Sequence, residues 1–526
     1  MQNLRRITQG IFLLVFLFLF IQTESKGANE LGYPVKIFLD FNPLILITTL
    51  FSAHAVQKAF YFSVIIILIT LLFGRVFCGW VCPLGTLNNI TGSFRKKHIH
   101  TVNKNWHRIK YYILIFLIAS SVFTLQLTGI MDPISLLIRS FSLSIYPLFN
   151  YVVNAVFDSI YNLNLKGITG ASESIYSALK NSILSFRQPF FNQSAFICLI
   201  FFTILGLNLI EKRFWCRYLC PLGALLGLLS KYSILSRSVS EGCTSCGICD
   251  TVCQGGANPD LKENWRDTEC LYCFNCDDIC PQNAVSFGFH PSVLPFTKGG
   301  VNGGPQKPAL DLGRRQVIIS MLSGVTAVPL IRISSFSKPE FHNPRLIRPP
   351  GSLEEKDFLK RCVKCGECMK VCITNGLQPT LFDSGIEGIW SPLLIPKMGY
   401  CEYRCTLCGQ VCPTGAIKRL SLEEKKKVKI GLAVIDKNKC LPYTHATPCI
   451  VCEEVCPTSK KAVWFENNKV KNREGKEFAL KQPRVDAELC IGCGICEAKC
   501  PVGDSPAIYV TSIGESRSKE NQLLLA

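Results

Sequence analysis

Cysteines carry the chemistry that this sequence predicts. The chain has 526 residues and 29 cysteines. A four-iron cube needs four thiolates, and a C-x2-C-x2-C-x3-C run wraps three of them around one cube. Six such runs, two of them stretched, predict six [4Fe-4S] clusters that pass single electrons. The predicted ligands are Cys243, Cys246, Cys249 and Cys253; Cys270, Cys273, Cys276 and Cys280; Cys362, Cys365, Cys368 and Cys372; Cys401, Cys405, Cys408 and Cys412; Cys440, Cys449, Cys452 and Cys456; and Cys490, Cys493, Cys496 and Cys500.

The fourth cysteine of a run usually ligates the neighbouring cube in two-cluster ferredoxins. We therefore expect Cys280 to complete the first cluster and Cys253 to complete the second. In the last four runs, the fourth cysteine could serve an adjacent or a distant neighbour. Zinc ribbons use two separated C-x2-C pairs, and disulfides need no triplets, so both are disfavoured. Cys198 lies in an apolar stretch and is predicted to be a small core residue.

Four more cysteines belong to an internal repeat. The segment 75–85, RVFCGWVCPLG, matches 213–223, RFWCRYLCPLG, and each copy contains a C-x3-C-P sequence. Three interpretations of Cys78, Cys82, Cys216 and Cys220 stay open: redox-active thiols, ligands of a metal or cluster, or structural residues at a tight turn. A C-x3-C spacing puts two sulfurs on one side of a helical turn, which suits joint ligation.

The elements that must hold these cysteines differ between the two halves of the chain. Four apolar stretches, at 10–22, 59–74, 111–131 and 188–210, predict a bundle of four membrane helices. The first could instead be a cleaved signal peptide. Segment 75–110 has seven Lys or Arg and segment 132–187 has four, so the first should face the cytoplasm. The net charge of +19 is partly offset by the clusters, at roughly −2 each, and nucleic acid is not expected.

A Pro/Gly-rich linker at 291–313 precedes Arg314 and Arg315, which are followed by a mildly apolar stretch ending at Ile331. Paired arginines in this setting suggest a twin-arginine export signal or an interface helix with snorkelling arginines. A fifth crossing here would put the rest of the chain outside. The predicted domains are therefore a membrane domain (1–235), a two-cluster ferredoxin module (236–290), a linker with the hydrophobic segment (291–335) and a four-cluster ferredoxin domain (336–515). The fold class is multi-domain, an α-helical membrane bundle with α+β bacterial-type ferredoxin modules.

Residues 1–290 resemble NapH, the membrane component of periplasmic nitrate reductase systems, in their helices, their two C-x3-C-P-L-G motifs and their two-cluster module. Residues 310–515 resemble the NapG/MauM ferredoxin-type proteins, with a twin-arginine segment and four cluster motifs. The resemblance implies oxidation of membrane quinol and delivery of electrons to a periplasmic reductase of the nitrate or nitrous oxide type, or to a cytochrome c, in anaerobic respiration. It places 236–290 in the cytoplasm and 336–526 in the periplasm of a bacterial inner-membrane, multi-pass protein.

Two other functions compete with quinol oxidation. The chain could supply electrons while a periplasmic metalloenzyme matures, or it could accept electrons from soluble donors as a membrane-attached polyferredoxin. Arg139 and His54 are polar groups near apolar segments and are weak candidates for a quinone site. The residues 169–172 are a weak candidate for flavin attachment. No glycine-rich dinucleotide motif follows a strand, so a built-in NADH site is not expected.

Overall fold

The computed structural model describes residues 1–24, 29–54, 58–94, 106–162, 168–258, 265–289, 312–332, 343–471, 477–503, 505–518 and 521. They form two compact units. The first consists of Met1–Phe20, Val35–Ser140 and Phe196–Pro329, and the second of Ile21–Pro34, Phe141–Ala195 and Leu330–Ala526. The domain boundaries near 235, 290 and 335 stay predictions.

The first unit is mostly helical. Proline occupies the first position of several helices, where its missing N–H costs nothing and its fixed φ suits the helix. Its α-helices are Gln2–Gln22, Ile37–Asp40, Pro43–Ala53, Ser63–Phe73, Pro83–Ser93, Ile109–Val122, Thr128–Met131, Pro133–Ser140, Ser194–Gly206, Pro221–Ser230, Ile248–Thr251, Asn275–Asp278 and Arg314–Arg332. Gln2–Gln22 ends, and Ser194–Gly206 begins, two residues outside the unit.

The two-cluster segment of this unit is closed by a β-ribbon. Strand Leu235–Val239 pairs antiparallel with Val285–Phe289, in the register Leu235↔Phe289 to Val239↔Val285. The pairing brings the two ends of the segment together, so that both cysteine runs lie between the strands. A small core that includes Trp265 and the fully buried Tyr272 packs beneath it.

The second unit combines short helices with two-stranded sheets. One strand pair, Leu432–Ile435 with Ile508–Thr511, encloses the fifth and sixth cysteine motifs in the sequence. Its α-helices are Tyr146–Asn162, Ile168–Ser182, Glu355–Arg361, Glu367–Lys370, Leu407–Gln410, Leu422–Lys427, Leu441–Thr444, Val451–Glu454 and Ile495–Ala498. Its antiparallel strand pairs are Leu377–Pro379 with Pro392–Leu394, Leu432–Ile435 with Ile508–Thr511, and Val463–Lys471 with Glu477–Val485.

The predicted four-helix membrane bundle is not confirmed. Within the described residues, two helical stretches are long and apolar enough to cross a bilayer, Gln2–Gln22 and Pro133–Asn162. The second lies outside the four predicted stretches. The predicted stretches 59–74, 111–131 and 188–210 overlap α-helices of 11, 14 and 13 residues. At 1.5 Å per residue these helices are shorter than the hydrocarbon core.

The backbone conformation of one residue explains why one of these helices is short. The helix Ile109–Val122 ends next to Thr124, which has a φ of 68°. A left-handed residue of this kind interrupts helical hydrogen bonding, so the apolar stretch 111–131 is not one helix. The segment that contains Arg314 and Arg315 does form a helix, Arg314–Arg332, but this helix is not among the two that pass the test of length and apolarity.

Candidate iron–sulfur sites

The backbone of four cysteine motifs reverses on both sides of the second cysteine. Around Cys246, Ser245 and Gly247 have φ values of 54° and 73°. The same left-handed pairs recur in the other three motifs, at Tyr272 and Phe274, Lys364 and Gly366, and Gly492 and Gly494. Such residues bend a chain sharply, and glycine does so at least cost. A C-x2-C-x2-C run therefore curls into a loop with its thiols on the inside. In the two stretched motifs, Thr406 and Ile450 keep negative φ values.

In the first unit, the thiol of Cys253 joins the second cysteine run. Cys270 has the thiols of Cys273, Cys276 and Cys253 as electrostatic neighbours. This is the exchange of fourth cysteines that the spacing predicts for the second cluster. The partner set of Cys243, Cys246, Cys249 and Cys280 stays a prediction, although Cys276 has Cys249 as a neighbour.

In the second unit, the third and fourth motifs exchange their last cysteines. Cys368 neighbours Cys362, Cys365 and Cys412. In return, Cys372 lines one cavity together with Cys401, Cys405 and Cys408. The rest of that cavity wall is mainly apolar and includes Pro349, Val371 and Leu394.

The fifth and sixth motifs exchange in the same way. Cys500 lines a second apolar cavity with Cys440, Cys449 and Cys452. Cys493 has Cys490 and Cys456 as neighbours, and Cys496 also neighbours Cys490. In these groupings, the fourth cysteine of each motif lies with the thiols of a motif that is adjacent in sequence.

The four thiol sets of the second unit form a row. Cys368, in the set of the third motif, neighbours Cys408, in the set of the fourth motif. The backbone N–H of Cys401 donates to the carbonyl of Cys493 at 2.8 Å, which links the set of the fourth motif to the set of the sixth motif. Cys496 then neighbours Cys452, in the set of the fifth motif. The order in space is thus third, fourth, sixth and fifth, and the last two are inverted relative to the sequence.

The donor chemistry of these sets fits iron–sulfur cubes. Burial, followed by the thiols of Cys401, Cys405 and Cys372, raises the pKa of the Cys408 thiol well above its ordinary value. Thiols gathered in this way ionise together only when cations neutralise them. No group of three or more His, Cys, Asp or Glu in the described part of the chain converges on a point that one metal ion would fill. The two cavities that are each lined by four cysteines are otherwise mainly apolar. Clusters with four thiolate ligands are held in surroundings of this kind.

The repeated C-x3-C-P motifs also bring their cysteines together. Each begins as a π-helical turn, Phe77–Val81 or Trp215–Leu219, and its second cysteine precedes a helix that starts with proline. Cys220 has the thiols of Cys216, Cys78 and Cys82 as neighbours. Four cysteines from two distant segments therefore form one group, in which Cys216 is half-buried and the other three are buried.

Two arginines related by the repeat flank this four-cysteine group. Arg75 is 1 % exposed and has Cys78 and Cys220 as electrostatic neighbours. Arg213, also 1 % exposed, donates from Nη1 to the carbonyl of Cys78 at 2.9 Å. Both arginines stand three residues before the first cysteine of their motif. Sequence reasoning quoted Arg75 and Arg213 within the repeat but gave them no role.

Both C-x3-C turns pack directly against the ligand loops of the second cluster. Trp80 donates from Nε1 to the carbonyl of Tyr272 at 2.9 Å. A Cβ on Gly79 would lie 2.3 Å from the carbonyl oxygen of Leu271, so only glycine permits this approach. In the second turn, Arg217 donates to the carbonyls of Gln254 and Cys253. The four-cysteine group and the predicted second cluster are therefore immediate neighbours.

A buried ionic network connects the same parts. The carboxylate of Glu269 accepts from Tyr111 at 2.8 Å, from Arg75 at 3.4 Å and from Lys110. Although burial opposes ionisation, Lys110 and Arg75 lower the pKa of the Glu269 carboxyl. Glu269 directly precedes Cys270, so the network fixes the start of a cluster loop.

The weaker sequence candidates have ordinary structural roles. Arg139 is buried and donates to the carbonyls of Gly129 and Ile130. His54 ends the helix Pro43–Ala53 in the left-handed conformation. Residues 169–172 lie within the helix Ile168–Ser182.

Comparison with known proteins connects this geometry to a chemistry. Residues 59–101 and 192–240, which contain the two C-x3-C-P motifs, match a family described as a 4Fe-4S binding domain. Residues 483–503, which contain the sixth motif, match another family with that description. No solved structure matches the chain.

Three relatives illustrate what the chain is similar to. It is 28 % identical over 294 residues to an uncharacterized protein of Methanocaldococcus jannaschii, an alignment that covers 55 % of this chain and 96 % of the relative. It is 33 % identical over 99 residues to the ferredoxin-type protein NapG of Escherichia coli, an alignment that covers 18 % of this chain and 42 % of the relative. It is 32 % identical over 179 residues to the methylamine utilization ferredoxin-type protein MauM of Methylorubrum extorquens, an alignment that covers 32 % of this chain and 76 % of the relative.

These similarities confirm the ferredoxin-type resemblance, while the fusion of a NapH-like and a NapG-like part stays a prediction. Because its cysteines are gathered into sets and its relatives are ferredoxin-type proteins, the chain is an iron–sulfur electron-transfer protein of the NapG and MauM type. Through the segment that it shares with MauM, the chain belongs to the family of ferredoxin-type proteins.

Proposed function

We propose that this protein takes electrons from membrane quinol and passes them through six [4Fe-4S] clusters to a periplasmic reductase. The 24 cysteines of the six motifs are the proposed cluster ligands. The observation that carries the proposal is the row of four thiol sets in the second unit, in which each set neighbours the next. Such a row suits the passage of single electrons over a distance, since each cluster both accepts and donates.

Contacts within each unit support the proposed sidedness. In the first unit, the two-cluster module contacts the basic segments assigned to the cytoplasm: Arg5 donates to the carbonyl of Cys273, and Lys110 pairs with Glu269. In the second unit, the four-cluster part contacts segments assigned to the outer face. Arg187 donates to the carbonyl of Thr374 at 3.1 Å. The two-cluster module is proposed to be cytoplasmic and 336–526 periplasmic.

The four-cysteine group is proposed to hold a further centre next to the second cluster. Its sulfurs come from two segments of the chain, and two buried arginines would offset the negative charge of a thiolate-bound centre. Its place between the membrane segments and a cluster loop suits electron entry. Cys78, Cys82, Cys216 and Cys220 would be its ligands.

Quinol oxidation is tested by adding a reduced quinol analogue to anaerobically purified, detergent-solubilised protein and following cluster reduction by EPR. The proposal expects reduced-cluster signals within the mixing time of the experiment, and dithionite gives the full signal as reference. If dithionite reduces the clusters while no quinol does so at any pH, the protein is a ferredoxin-type carrier without quinol dehydrogenase activity.

The route to a periplasmic reductase is tested in a deletion strain. The proposal expects the partner reductase to carry its complete cofactors and to remain oxidised. An immature, cofactor-poor partner would instead identify an electron donor for maturation. Labelling of cysteines introduced at exposed positions provides the check on sidedness in intact spheroplasts, because Asp383→Cys is expected to react and Glu241→Cys is not.

A further inference from the structure

A large cavity in the first unit lies close to both the four-cysteine group and the second cluster. Its volume is about 710 Å³, which is the size of a cofactor site. Asn88 lines it and also donates to the Cys216 thiol at 3.6 Å. On the cluster side, Gln254 and Asn275 line it beside Cys253 and Cys276.

The lining of this cavity is strongly basic. Arg5, Arg6, Lys212 and Arg213 contribute to the wall, and the described lining residues include no Asp, Glu or His. The guanidinium groups of Arg213 and Arg6 both lie close enough to that of Arg5 to repel it. Like charges gathered around a concave space are stabilised by an anion that enters it.

Buried polar groups at this cavity have unmet hydrogen-bonding capacity. Nε and Nη2 of Arg213 and Nε of Arg5 are buried without a hydrogen-bond partner among the described residues, as are Oε1 of Gln254 and Oδ1 of Asn275. Arg213 is 1 % exposed and Arg5 is 2 % exposed. Leaving the arginine donors among these atoms unmet costs about 1–3 kcal/mol each, so an acceptor-rich ligand is expected to satisfy them.

Neither quinol nor the clusters explain the whole lining. Oxidation of quinol releases protons, and this wall offers no carboxylate or imidazole to accept them. Arg5 and Lys212 do face the cluster thiols Cys273 and Cys253, so part of the positive charge offsets the clusters. Arg213 likewise offsets the charge proposed for the four-cysteine group, and Arg6 is left for another anion.

We propose that this cavity binds a phosphate-bearing anion, either a soluble phosphate compound or the headgroup of an anionic phospholipid. Phosphate oxygens accept several hydrogen bonds at once, and arginine matches their geometry. Because the cavity lies close to two redox groups, the bound anion would alter the charge that both experience. The inference is independent of quinol oxidation, since binding requires no electron transfer.

The test uses full-length protein with its clusters, in nanodiscs, and isothermal titration calorimetry. One arm titrates inorganic phosphate and a nucleoside monophosphate into phosphatidylcholine nanodiscs. The other compares lipid retained from phosphatidylglycerol and phosphatidylcholine by mass spectrometry. The double variant Arg6→Gln/Lys212→Gln is compared with Lys36→Gln/Lys231→Gln, which removes two charges outside the cavity.

A dissociation constant for the soluble compound at least tenfold weaker in the cavity variant alone identifies a soluble phosphate ligand. Loss of retained phosphatidylglycerol in that variant alone identifies a lipid headgroup. If neither binds, or if both variants bind equally, the cavity has no phosphate site and the proposal is overturned.

Discussion

At the scale of single residues, Glu269 shows how a buried charge holds a redox loop in place. Its carboxylate is 1 % exposed and is satisfied by three side chains. Removal of one partner from a buried ionic network leaves uncompensated charge, which commonly costs about 3–5 kcal/mol. The variant Glu269→Gln would leave Arg75 and Lys110 in that condition.

We therefore expect Glu269→Gln to lower the melting temperature in detergent and to broaden the EPR signal of the adjacent cluster. The control is Glu241→Gln, because Glu241 is exposed. Equal melting temperatures for the two variants would contradict a stabilising role of the network.

The four-cysteine group provides a second prediction at this scale. Cys78→Ser/Cys216→Ser should lower the metal content of the purified protein below that of the parent, because each substitution removes one proposed ligand. The control is Cys198→Ser, since Cys198 lies in the helix Ser194–Gly206, away from every cysteine motif. Unchanged iron content and unchanged electron transfer in the double variant would leave only a structural role.

At this same scale, sequence was most informative where chemistry dictates spacing. The cysteine runs predicted the exchange of Cys253 into the second thiol set. They could not predict which distant side chains would approach Glu269, because Lys110 and Glu269 are 159 residues apart and no local pattern links them.

At the scale of elements, close packing of the first C-x3-C turn depends on one glycine. Gly79→Ala would place a Cβ 2.3 Å from the carbonyl oxygen of Leu271, so the turn and the cluster loop must separate. We expect a shifted midpoint potential for the adjacent cluster and lower thermal stability. Gly206→Ala is the matched control, since its Cβ would have no atom within 4 Å. Identical potentials in both variants would show that the turn does not support the cluster.

The helix Glu355–Arg361 is attached by an ion pair whose pH dependence is defined. Although burial opposes it, Arg348 and Arg517 lower the pKa of the Glu355 carboxyl to about 2. A lowered folded-state pKa stabilises the fold above the unfolded pKa, near 4.3, and this stabilisation is lost as the pH falls towards 2.

Glu355→Gln should therefore destabilise the protein by about 1–2 kcal/mol, and equally at pH 6 and pH 8, where Glu355 remains ionised. Thermal unfolding at the two pH values measures this difference, and Glu354→Gln is the control because Glu354 is exposed. A penalty that disappears at pH 6 would contradict the lowered pKa.

Elements were predicted less well than the grouping of the cysteines. Apolar composition located stretches such as 111–131, but the chain breaks this one at Thr124 and gives the helix Ile109–Val122. Hydropathy averages over a window, whereas a helix end depends on the φ of one residue. The continuous helical stretch Pro133–Asn162 was missed because its polar and proline residues dilute the apolar signal.

At the scale of the whole molecule, the row of four thiol sets makes the fourth motif an interior position. Cys405 is a proposed ligand of the fourth-motif cluster. Cys405→Ser should therefore slow the equilibration of electrons between the third-motif and sixth-motif clusters at least tenfold, as measured by freeze-quench EPR. Cys449→Ser, at the end of the row, should leave that exchange intact. Equal rates in the two variants would contradict the order.

The exchanged fourth cysteines also bear on how the protein is made. The cavity lined by Cys440, Cys449 and Cys452 is completed only by Cys500, which belongs to the following motif. Synthesis from the N-terminus therefore leaves the fifth site open until the sixth motif has been translated. A ribosome that stops before codon 490 would release a polypeptide lacking two usable sites, and iron loading of this part must wait until both motifs have emerged.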